Sequence, residues 1–462
     1  MLEPNRIPGS FRDRSGYVFE DENVIYRAIN LTYKENYDLL LGSGLLSKLM
    51  DKKLLLPFKA QEKKILGVWK IIKPEKIKLI SYPYEWSFEQ LKDAALVTLN
   101  IQLEALKHGM TLKDASAYNI QYYKGKLVHI DHLSFEKFIE GQPWVAYRQF
   151  VMNFLGPLIL MAKVDSRHAL QLRNFIDGLP LDYISRALPL VTWLNPSCFL
   201  HIHLHAILQK KYSSTDDLKV SNEKNKRKLK SISYNSNFNL INSLMVSIKK
   251  LTYPGISSEW GSYYNDTNYS AKAFKSKKYI LKNIIRNLAP ESICDLGSND
   301  GEFSQLIMKH TRHVISVDSD HNAVNNNYIN QKKYKESVVQ PLMIDICNPS
   351  PSVGWSNIER DSFLDRGRCD LVMGLALIHH LCISNNIPLS YVAKLFYSLA
   401  PVAVLEFTPK EDSQVQRLLS YRDDIFDDYS MESCIAEFLK FYKKVDCHRI
   451  SDSTRVLLVF CL

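Results

Sequence analysis

Two glycines four residues apart, Gly297 and Gly301, have the spacing of a ligand-binding loop. The apolar run before them, 292–296, predicts a short buried strand, and the run after them, 302–309, predicts a helix. Glycine can adopt a positive φ and leaves its backbone bare, so a ligand can approach such a turn closely. A strand, a glycine turn and a helix form the ligand cradle of doubly wound α/β domains, at the carboxyl end of a strand.

Carboxylates follow the next two apolar runs. The run 314–317 ends in Asp318, and the run 342–344 ends in Asp345. A carboxylate at the end of the second strand is the group that accepts ribose hydroxyls in such folds. Two further strand-like runs follow, at 370–376 and 402–407. Because parallel strands end at one edge of a sheet, the pattern predicts a nucleotide-type pocket there.

The order of these motifs resembles a class I S-adenosylmethionine-dependent methyltransferase. The segments that carry the resemblance are DLGSNDG (295–301), VISVDSD (314–320), MID (343–345), CDLVMGLALIHHL (369–381) and VLEF (404–407). The resemblance covers roughly 272–462. It implies a Rossmann-like α/β domain, methyl transfer as the reaction and S-adenosyl-L-methionine as the cofactor.

The resemblance also assigns cofactor-binding residues. It implies that Asp295 and Gly297 line the methionine part of the cofactor, that Asp318 holds the ribose and that Asp345 faces the adenine amino group. Gly301 completes the first motif. The family usually has three glycines in this motif, and here Asn299 stands at the middle position.

Candidate catalytic residues lie on the same edge. Methyl transfer from a sulfonium is an in-line displacement that depends on alignment and requires no metal. A hydroxyl or amine acceptor must lose a proton, and a histidine suits that role. We therefore expect His380 or His379 to act as the base and Glu406 to orient a histidine or the acceptor. The alternative is structural, with the two histidines beginning a helix and Glu406 capping the next one.

The first half carries a different set of polar residues. Asp114, Asn119 five residues later and Asp131 after a short hairpin resemble the catalytic loop and metal-binding aspartate of protein-kinase-like phosphotransferases. The resemblance implies an α+β domain that binds ATP and Mg²⁺. No G-x-G-x-x-G motif precedes it, and Arg27 stands where a phosphate-binding lysine is expected. An active kinase, a pseudokinase and a structural likeness alone all remain open.

Length and composition set further bounds. A chain of 462 residues exceeds one ordinary core, and its 46% hydrophobic and 23% charged residues are those of a globular protein. We expect no secretory signal, because no apolar region follows Met1, and no membrane span, because the apolar run 150–160 is too short. Eight scattered cysteines without a C-x-x-C motif predict reduced thiols in a cytoplasmic protein, and neither a disulfide framework nor a metal site.

The net charge of +10 is concentrated in one segment. Residues 209–250 hold ten Lys or Arg and three Asp or Glu, centred on the run 224–230. Such a run can contact nucleic acid, but its Ser/Asn-rich surroundings favour a solvated linker. We therefore predict a kinase-like domain at 1–208, a basic linker with an aromatic lid segment at 209–270, and the methyltransferase domain at 271–462. For the aromatic residues 260–269, a connecting loop is an equal alternative to a lid.

The whole chain resembles a bacterial group of two-part proteins, the NoeA-like nodulation-protein family. The segments that carry this likeness are 114–121, 130–136 and 143–150. It implies a methyltransferase acting on a small-molecule or glycan acceptor in glycan or signal-molecule biosynthesis, with the first half as a substrate-binding or regulatory module. Two alternatives are a bifunctional enzyme with an active phosphotransferase, and a non-catalytic protein that contacts nucleic acid. Neither the acceptor nor the oligomeric state follows from the sequence.

Overall fold

The computed structural model describes residues 5–212, 233–255 and 269–462. The chain divides into two compact units: Met1–Pro254 with Val353–Arg360, and Gly255–Ser352 with Asp361–Leu462. The basic run 224–230 and residues 260–268 of the predicted lid lie outside the described residues.

The first unit contains an antiparallel sheet. Its described strands, in the order β1-β2-β3-β5-β4, are β1 (Asn5–Arg6), β2 (Gly16–Asp21), β3 (Val24–Ile29), β4 (Phe58–Gln61) and β5 (Lys70–Pro74). Two short antiparallel pairs follow: β6 (Met110–Leu112) with β9 (Phe135–Lys137), and β7 (Ile120–Tyr123) with β8 (Lys126–His129). The turn between β2 and β3 has positive φ at Glu22 and Asn23, as a tight hairpin requires.

Helices make up most of the rest of this unit. They are α1 (Lys34–Gly42), α2 (Leu45–Asp51), α3 (Phe88–Lys107), α4 (Tyr147–Phe150), α5 (Gly156–Lys163), α6 (Gln171–Asn174), α7 (Leu181–Ala187), α8 (Pro196–Cys198), α9 (Leu204–Tyr212) and α10 (Tyr234–Lys250). A capping box starts α3, because Ser87 Oγ accepts from the Gln90 N–H and Gln90 Oε1 accepts from the Ser87 N–H.

Helix α10 lies within the segment that we predicted to be a linker, 209–270. Its buried residues Ile241, Leu244 and Ile248 lie on the side that packs against α3. Asn237 at its start donates to the backbone carbonyl of Gln142 at 3.0 Å. This part of the segment therefore belongs to the first unit.

The second unit is built on one mixed sheet. Within the described residues, the strands are β10 (Ser292–Leu296), β11 (His313–Asp318), β12 (Val339–Met343), β13 (Leu371–Gly374), β14 (Val402–Phe407), β15 (Lys444–Arg449) and β16 (Val456–Cys461). Their order is β12-β11-β10-β13-β14-β16-β15. The first five in this order pair in parallel, while β16 pairs antiparallel with both β14 and β15.

The helices of this unit follow the same alternation. They are α11 (Ala271–Leu288), α12 (Glu302–Ile307), α13 (His321–Gln331), α14 (Phe363–Arg366), α15 (Leu389–Leu399), α16 (Ser413–Leu419) and α17 (Met431–Phe438). From β10 the chain builds towards β12 on one side and towards β14 on the other, so the strand order reverses beside β10. Ligands of doubly wound sheets bind where the order reverses, at the carboxyl edge. The topology, with its terminal antiparallel hairpin, is the Rossmann-like methyltransferase fold that the sequence predicts.

The third predicted strand has different bounds in the structure. We expected a strand at 342–345, and β12 instead spans Val339–Met343, so Asp345 lies two residues beyond its end. Gln340 and Pro341 made its first half look unlike a strand. Proline is tolerated there because β12 is an edge strand of the described sheet.

In the described parts of the chain, no helix combines the length and the apolar character needed to cross a membrane.

Candidate functional site

The glycine bend after β10 has the backbone conformation that its sequence requires. Gly297, Asn299 and Gly301 all have positive φ, at 68°, 49° and 83°. The Ser298 N–H donates to the Val317 carbonyl of the neighbouring strand at 2.9 Å. Gly297 is exposed, so a ligand can reach its bare backbone.

Asp318 ends β11 beside this bend. Its Oδ2 accepts from the Asn299 N–H at 2.8 Å, and its Oδ1 accepts from the Asp320 N–H at 2.8 Å. The side chain is half-buried. Burial raises its pKa to about 6, although the two N–H donors favour the ionised form. The bend and the strand-end carboxylate therefore form one continuous structure.

Asp345 and Asp295 lie at different depths beside Asp318. Asp345 is exposed, and the preceding Ile344 N–H donates to the Asp318 carbonyl at 2.8 Å. Asp295 is buried, and its Oδ2 accepts from the Ser304 hydroxyl at 2.6 Å. Burial raises the pKa of Asp295 to about 7. Asp345 can thus meet a ligand from solvent, whereas Asp295 supports the bend from below.

The two candidate histidines follow β13. Their ring centroids are 4.1 Å apart. His379 is buried, and its Nδ1 has no hydrogen-bond partner among the described residues. Burial and the neighbouring His380 hold the pKa of His379 well below its usual value. Burial and Arg455 lower the pKa of half-buried His380 to about 4. Both imidazoles are therefore neutral at physiological pH.

Glu406, the penultimate residue of β14, lies in a buried ionic cluster that the sequence did not predict. Lys277 Nζ lies 2.6 Å from Glu406 Oε2, and Arg455 Nη1 lies 3.6 Å from Oε1. The Tyr269 hydroxyl donates to Glu406 and accepts from Arg455 at 3.1 Å. Arg455 also binds Asp412 through two nitrogens, at 2.7 and 3.0 Å. Burial raises the pKa of Glu406 to about 7.

The position of Lys277 in the helical period indicates burial, although a lysine is usually expected to be exposed. It lies four residues after Ala273 and four before Leu281, which places it on the apolar face of α11. A lysine in that position is 2% exposed and points at the sheet. Lys275 and Lys278 beside it look equivalent in the sequence, and only the helical period separates them.

In the first unit, Asn119 and Asp131 lie close together through Ser134. The Ser134 hydroxyl donates to Asp131 Oδ2, and Asn119 Nδ2 donates to Ser134 Oγ at 3.5 Å. Asp114 accepts from the Ser116 N–H of its own loop at 2.9 Å. Arg27 from β3 forms an ion pair with Asp131. The residues expected to bind Mg²⁺ therefore already have protein partners.

Comparison with solved structures identifies methyltransferases of low similarity. The N-methyltransferase NodS from Bradyrhizobium japonicum WM9 matches 41% of this chain and 97% of its own, with 12% identity and a TM-score of 0.31. Magnesium protoporphyrin IX methyltransferase (ChlM) from Synechocystis PCC 6803 with bound SAH matches 44% and 92%, with 16% identity and a TM-score of 0.31. The bifunctional kinase-methyltransferase WbdD matches 43% and 41%, with 17% identity and a TM-score of 0.29. At these TM-scores the similarities carry no weight for function.

Sequence comparison gives a firmer result. No protein-family model matches the chain. The nodulation protein NoeA of Rhizobium meliloti (strain 1021) is 32% identical over 464 residues, which span 99% of this chain and 96% of that protein. Similarity of this extent includes both units and confirms the family resemblance of the whole chain. The chain therefore belongs to the family of the nodulation protein NoeA.

Proposed function

We propose that the second unit is an S-adenosylmethionine-dependent methyltransferase. The observation that carries the proposal is the hydrogen bond from the Asn299 N–H to Asp318 Oδ2, which joins the glycine bend to the strand-end carboxylate. A nucleoside needs both parts at once, a bare backbone to lie against and a carboxylate to accept its ribose hydroxyls. Asp345 follows the neighbouring strand β12 at the same edge of the sheet. Its exposed carboxylate can accept a hydrogen bond from an adenine amino group.

The groups around the bend fit this cofactor. The Ser298 hydroxyl and Asp300 Oδ1 are buried and have no hydrogen-bond partner among the described residues. A Cβ at Gly297 would lie 3.1 Å from Leu377 Cδ1, so a side chain there would narrow the approach. Unpaired polar atoms beside a bare backbone favour a polar ligand over a purely structural turn.

The bound cofactor would supply an activated methyl group on its sulfonium. The protein's task is then to fix the nucleoside and to orient the acceptor. Asp318 holds the ribose, and Asp295 supports the bend through Ser304. His380 is neutral and half-buried, so its ring can accept a hydrogen bond from an acceptor hydroxyl or amine. Its low pKa makes it a weak base, which favours orientation of the acceptor over full proton removal.

His379 and Glu406 have supporting roles in this proposal. His379 is buried against His380 and can fix the orientation of that ring. Glu406 is fully buried, with Lys277 and Arg455 as partners, so we assign it the positioning of the strand end. Neither is proposed to contact the acceptor.

The acceptor class is proposed from the family alone: a small molecule or a glycan in signal-molecule or surface-glycan biosynthesis. Purified protein incubated with methyl-labelled cofactor and a bacterial extract should transfer label to one fraction. Asp318→Ala should abolish the transfer. Lys275→Met, which replaces an exposed lysine of α11, is the control and should retain it. Label that persists in Asp318→Ala would contradict the proposal.

For the first unit we propose a substrate-binding or regulatory role. The Arg27–Asp131 ion pair supports this over an active phosphotransferase, because the carboxylate expected to bind Mg²⁺ is already paired. The nucleic-acid alternative rests on the run 224–230, which lies outside the described residues.

A further inference from the structure

One guanidinium in the first unit lies between two carboxylates. Arg27 Nη2 forms an ion pair with Asp131 Oδ1 and lies 2.9 Å from Asp13 Oδ2. The side chains of Arg27, Asp131 and Asp13 are 11%, 14% and 26% exposed. Arg27 comes from β3, Asp131 follows β8, and Asp13 precedes β2. Three separate parts of the chain therefore meet at this buried charge.

Asp131 is fully engaged in this arrangement. Besides Arg27, its Oδ1 accepts from the Leu133 N–H at 3.0 Å, and its Oδ2 accepts from the Ser134 hydroxyl. Burial would raise the pKa of Asp131, but Arg27 and these donors lower it to about 2. A divalent cation would have to displace a guanidinium that cannot lose its charge. The site does not fit ATP with Mg²⁺.

Asp13 is the weaker of the two partners. Burial and the charge of Asp131 raise its pKa, even though Arg27 and the Ser15 N–H favour the ionised form. It is also the most exposed of the three side chains, and it lies on a connecting segment outside the strands. Replacing Asp13 by another anion as the partner of Arg27 would therefore cost less free energy than replacing Asp131.

Arg27 has one donor that is not used within the protein. Its Nε is buried and finds no hydrogen-bond partner within the described residues. Nε and Nη2 share one edge of the guanidinium, which matches two oxygens of a phosphate. Nearby, Lys113 Nζ donates to Ser15 Oγ at 2.7 Å, two residues from Asp13. A second positive charge thus lies next to the displaceable carboxylate.

We propose that this cluster binds a phosphate group without a divalent cation. The phosphate takes the place of Asp13 on the Nε–Nη2 edge of Arg27, Lys113 supplies the second positive charge, and Arg27 serves Asp131 as its permanent counter-ion. The proposal concerns the first unit alone and does not depend on methyl transfer.

The test measures binding of ATP and of inorganic pyrophosphate to the full chain by titration calorimetry. Each titration is run in EDTA and in Mg²⁺. We expect binding in EDTA that Mg²⁺ does not strengthen. Equal affinities for the two probes would show that the phosphates alone are recognised, and tighter ATP binding would add a nucleoside contact. A strict requirement for Mg²⁺ would overturn the proposal. So would a failure of both ATP and pyrophosphate to bind, in EDTA and in Mg²⁺ alike.

Variants distinguish a loss of phosphate binding from a loss of folding stability. Asp13→Asn removes the competing charge and should raise affinity severalfold, whereas Arg27→Gln should lower it at least tenfold. Arg14→Gln, an exposed arginine of the same segment, is the matched control and should bind like the wild type. Because Arg27→Gln can also weaken the fold, the gain in Asp13→Asn is decisive, and unchanged or reduced affinity there contradicts the proposal. Cofactor affinity measured on the same samples reports separately on the second unit.

Discussion

At the scale of single residues, the proposed ribose contact of Asp318 would link protonation to ligand binding. Its carboxylate has an unusually high pKa of about 6, because it is partly buried beside the bend. Hydroxyl donors of a ribose favour the ionised form, so binding must be accompanied by proton loss below that pH. We therefore expect cofactor binding at this site to weaken in mild acid.

This linkage predicts a pH dependence of cofactor affinity. Lowering the pH from 7.5 to 5 should weaken binding about tenfold, since roughly one carboxyl in eleven stays ionised one unit below its pKa. Asp318→Asn should bind weakly at both pH values with a much smaller change. Titration calorimetry of S-adenosylmethionine at the two pH values measures this, and a wild-type affinity that is constant with pH would argue against the ribose contact.

The two glycines of the bend should differ when substituted. A Cβ at Gly301 would lie 2.4 Å from Asn327, which is fully buried and bonded to Ser316. Gly301→Ala should therefore lower the free energy of unfolding by about 1–3 kcal/mol. Gly297 also has a positive φ, so Gly297→Ala carries backbone strain too, but its added methyl meets Leu377, a flexible side chain, and the loss of stability should be smaller. Gly297→Ala should mainly reduce cofactor affinity.

Urea unfolding and cofactor titration of both variants distinguish these outcomes. The expectation fails if Gly297→Ala is the less stable protein or if Gly301→Ala alone loses cofactor binding.

At the scale of elements, the sequence predicted the bounds of secondary structure better than it predicted contacts between buried charged side chains. Strands β10 and β14 have the predicted bounds, because their apolar runs and flanking breakers are strong. The ionic cluster under the sheet edge was not, because Lys277 and Arg455 are far apart in sequence and only the fold brings them to Glu406. Helical periodicity predicts on which face of the helix a side chain lies, but it does not predict which residue that side chain contacts.

The Lys277–Glu406 pair should anchor α11 to the sheet. Both side chains are essentially inaccessible, so solvent does not screen the interaction. Lys277→Met leaves a buried carboxylate without its nearest cation and should lower the free energy of unfolding by about 3–5 kcal/mol. Adding Glu406→Gln removes the uncompensated charge and should recover part of this loss.

Urea unfolding of the two single variants and the double variant gives the coupling energy. Lys275→Met, an exposed lysine on the same helix, is the control and should change stability by less than about 0.5 kcal/mol. Strictly additive effects of the Lys277 and Glu406 substitutions would show that the pair does not stabilise the fold.

At the scale of the whole molecule, two units carry separate charge clusters with separate chemistry. In the first, Arg27 forms ion pairs with both Asp131 and Asp13. In the second, Lys277 and Arg455 neutralise Glu406 and Asp412. The similarity to the nodulation protein NoeA extends over both units.

Separate sites predict separable variants. Arg27→Gln should leave S-adenosylmethionine affinity within about twofold of the wild type, whereas Asp318→Ala should lower it by at least tenfold. The converse should hold for pyrophosphate. Cofactor and pyrophosphate titrations on the same preparations measure both, and a tenfold loss of cofactor affinity in Arg27→Gln would instead indicate that the units are energetically coupled.

The grouping of Val353–Arg360 with the first unit has a practical consequence for dissection of the chain. Glu359 is nearly inaccessible and accepts from Arg12 at 3.0 Å, so a fragment that begins at Gly255 would expose this acid to water and lack Arg12, its nearest cation. Replacing the eight residues by a short Gly-Ser bridge should make such a fragment easier to produce. Proteolysis or gene truncation at a single point cannot yield two intact pieces, because the polypeptide enters the first unit twice.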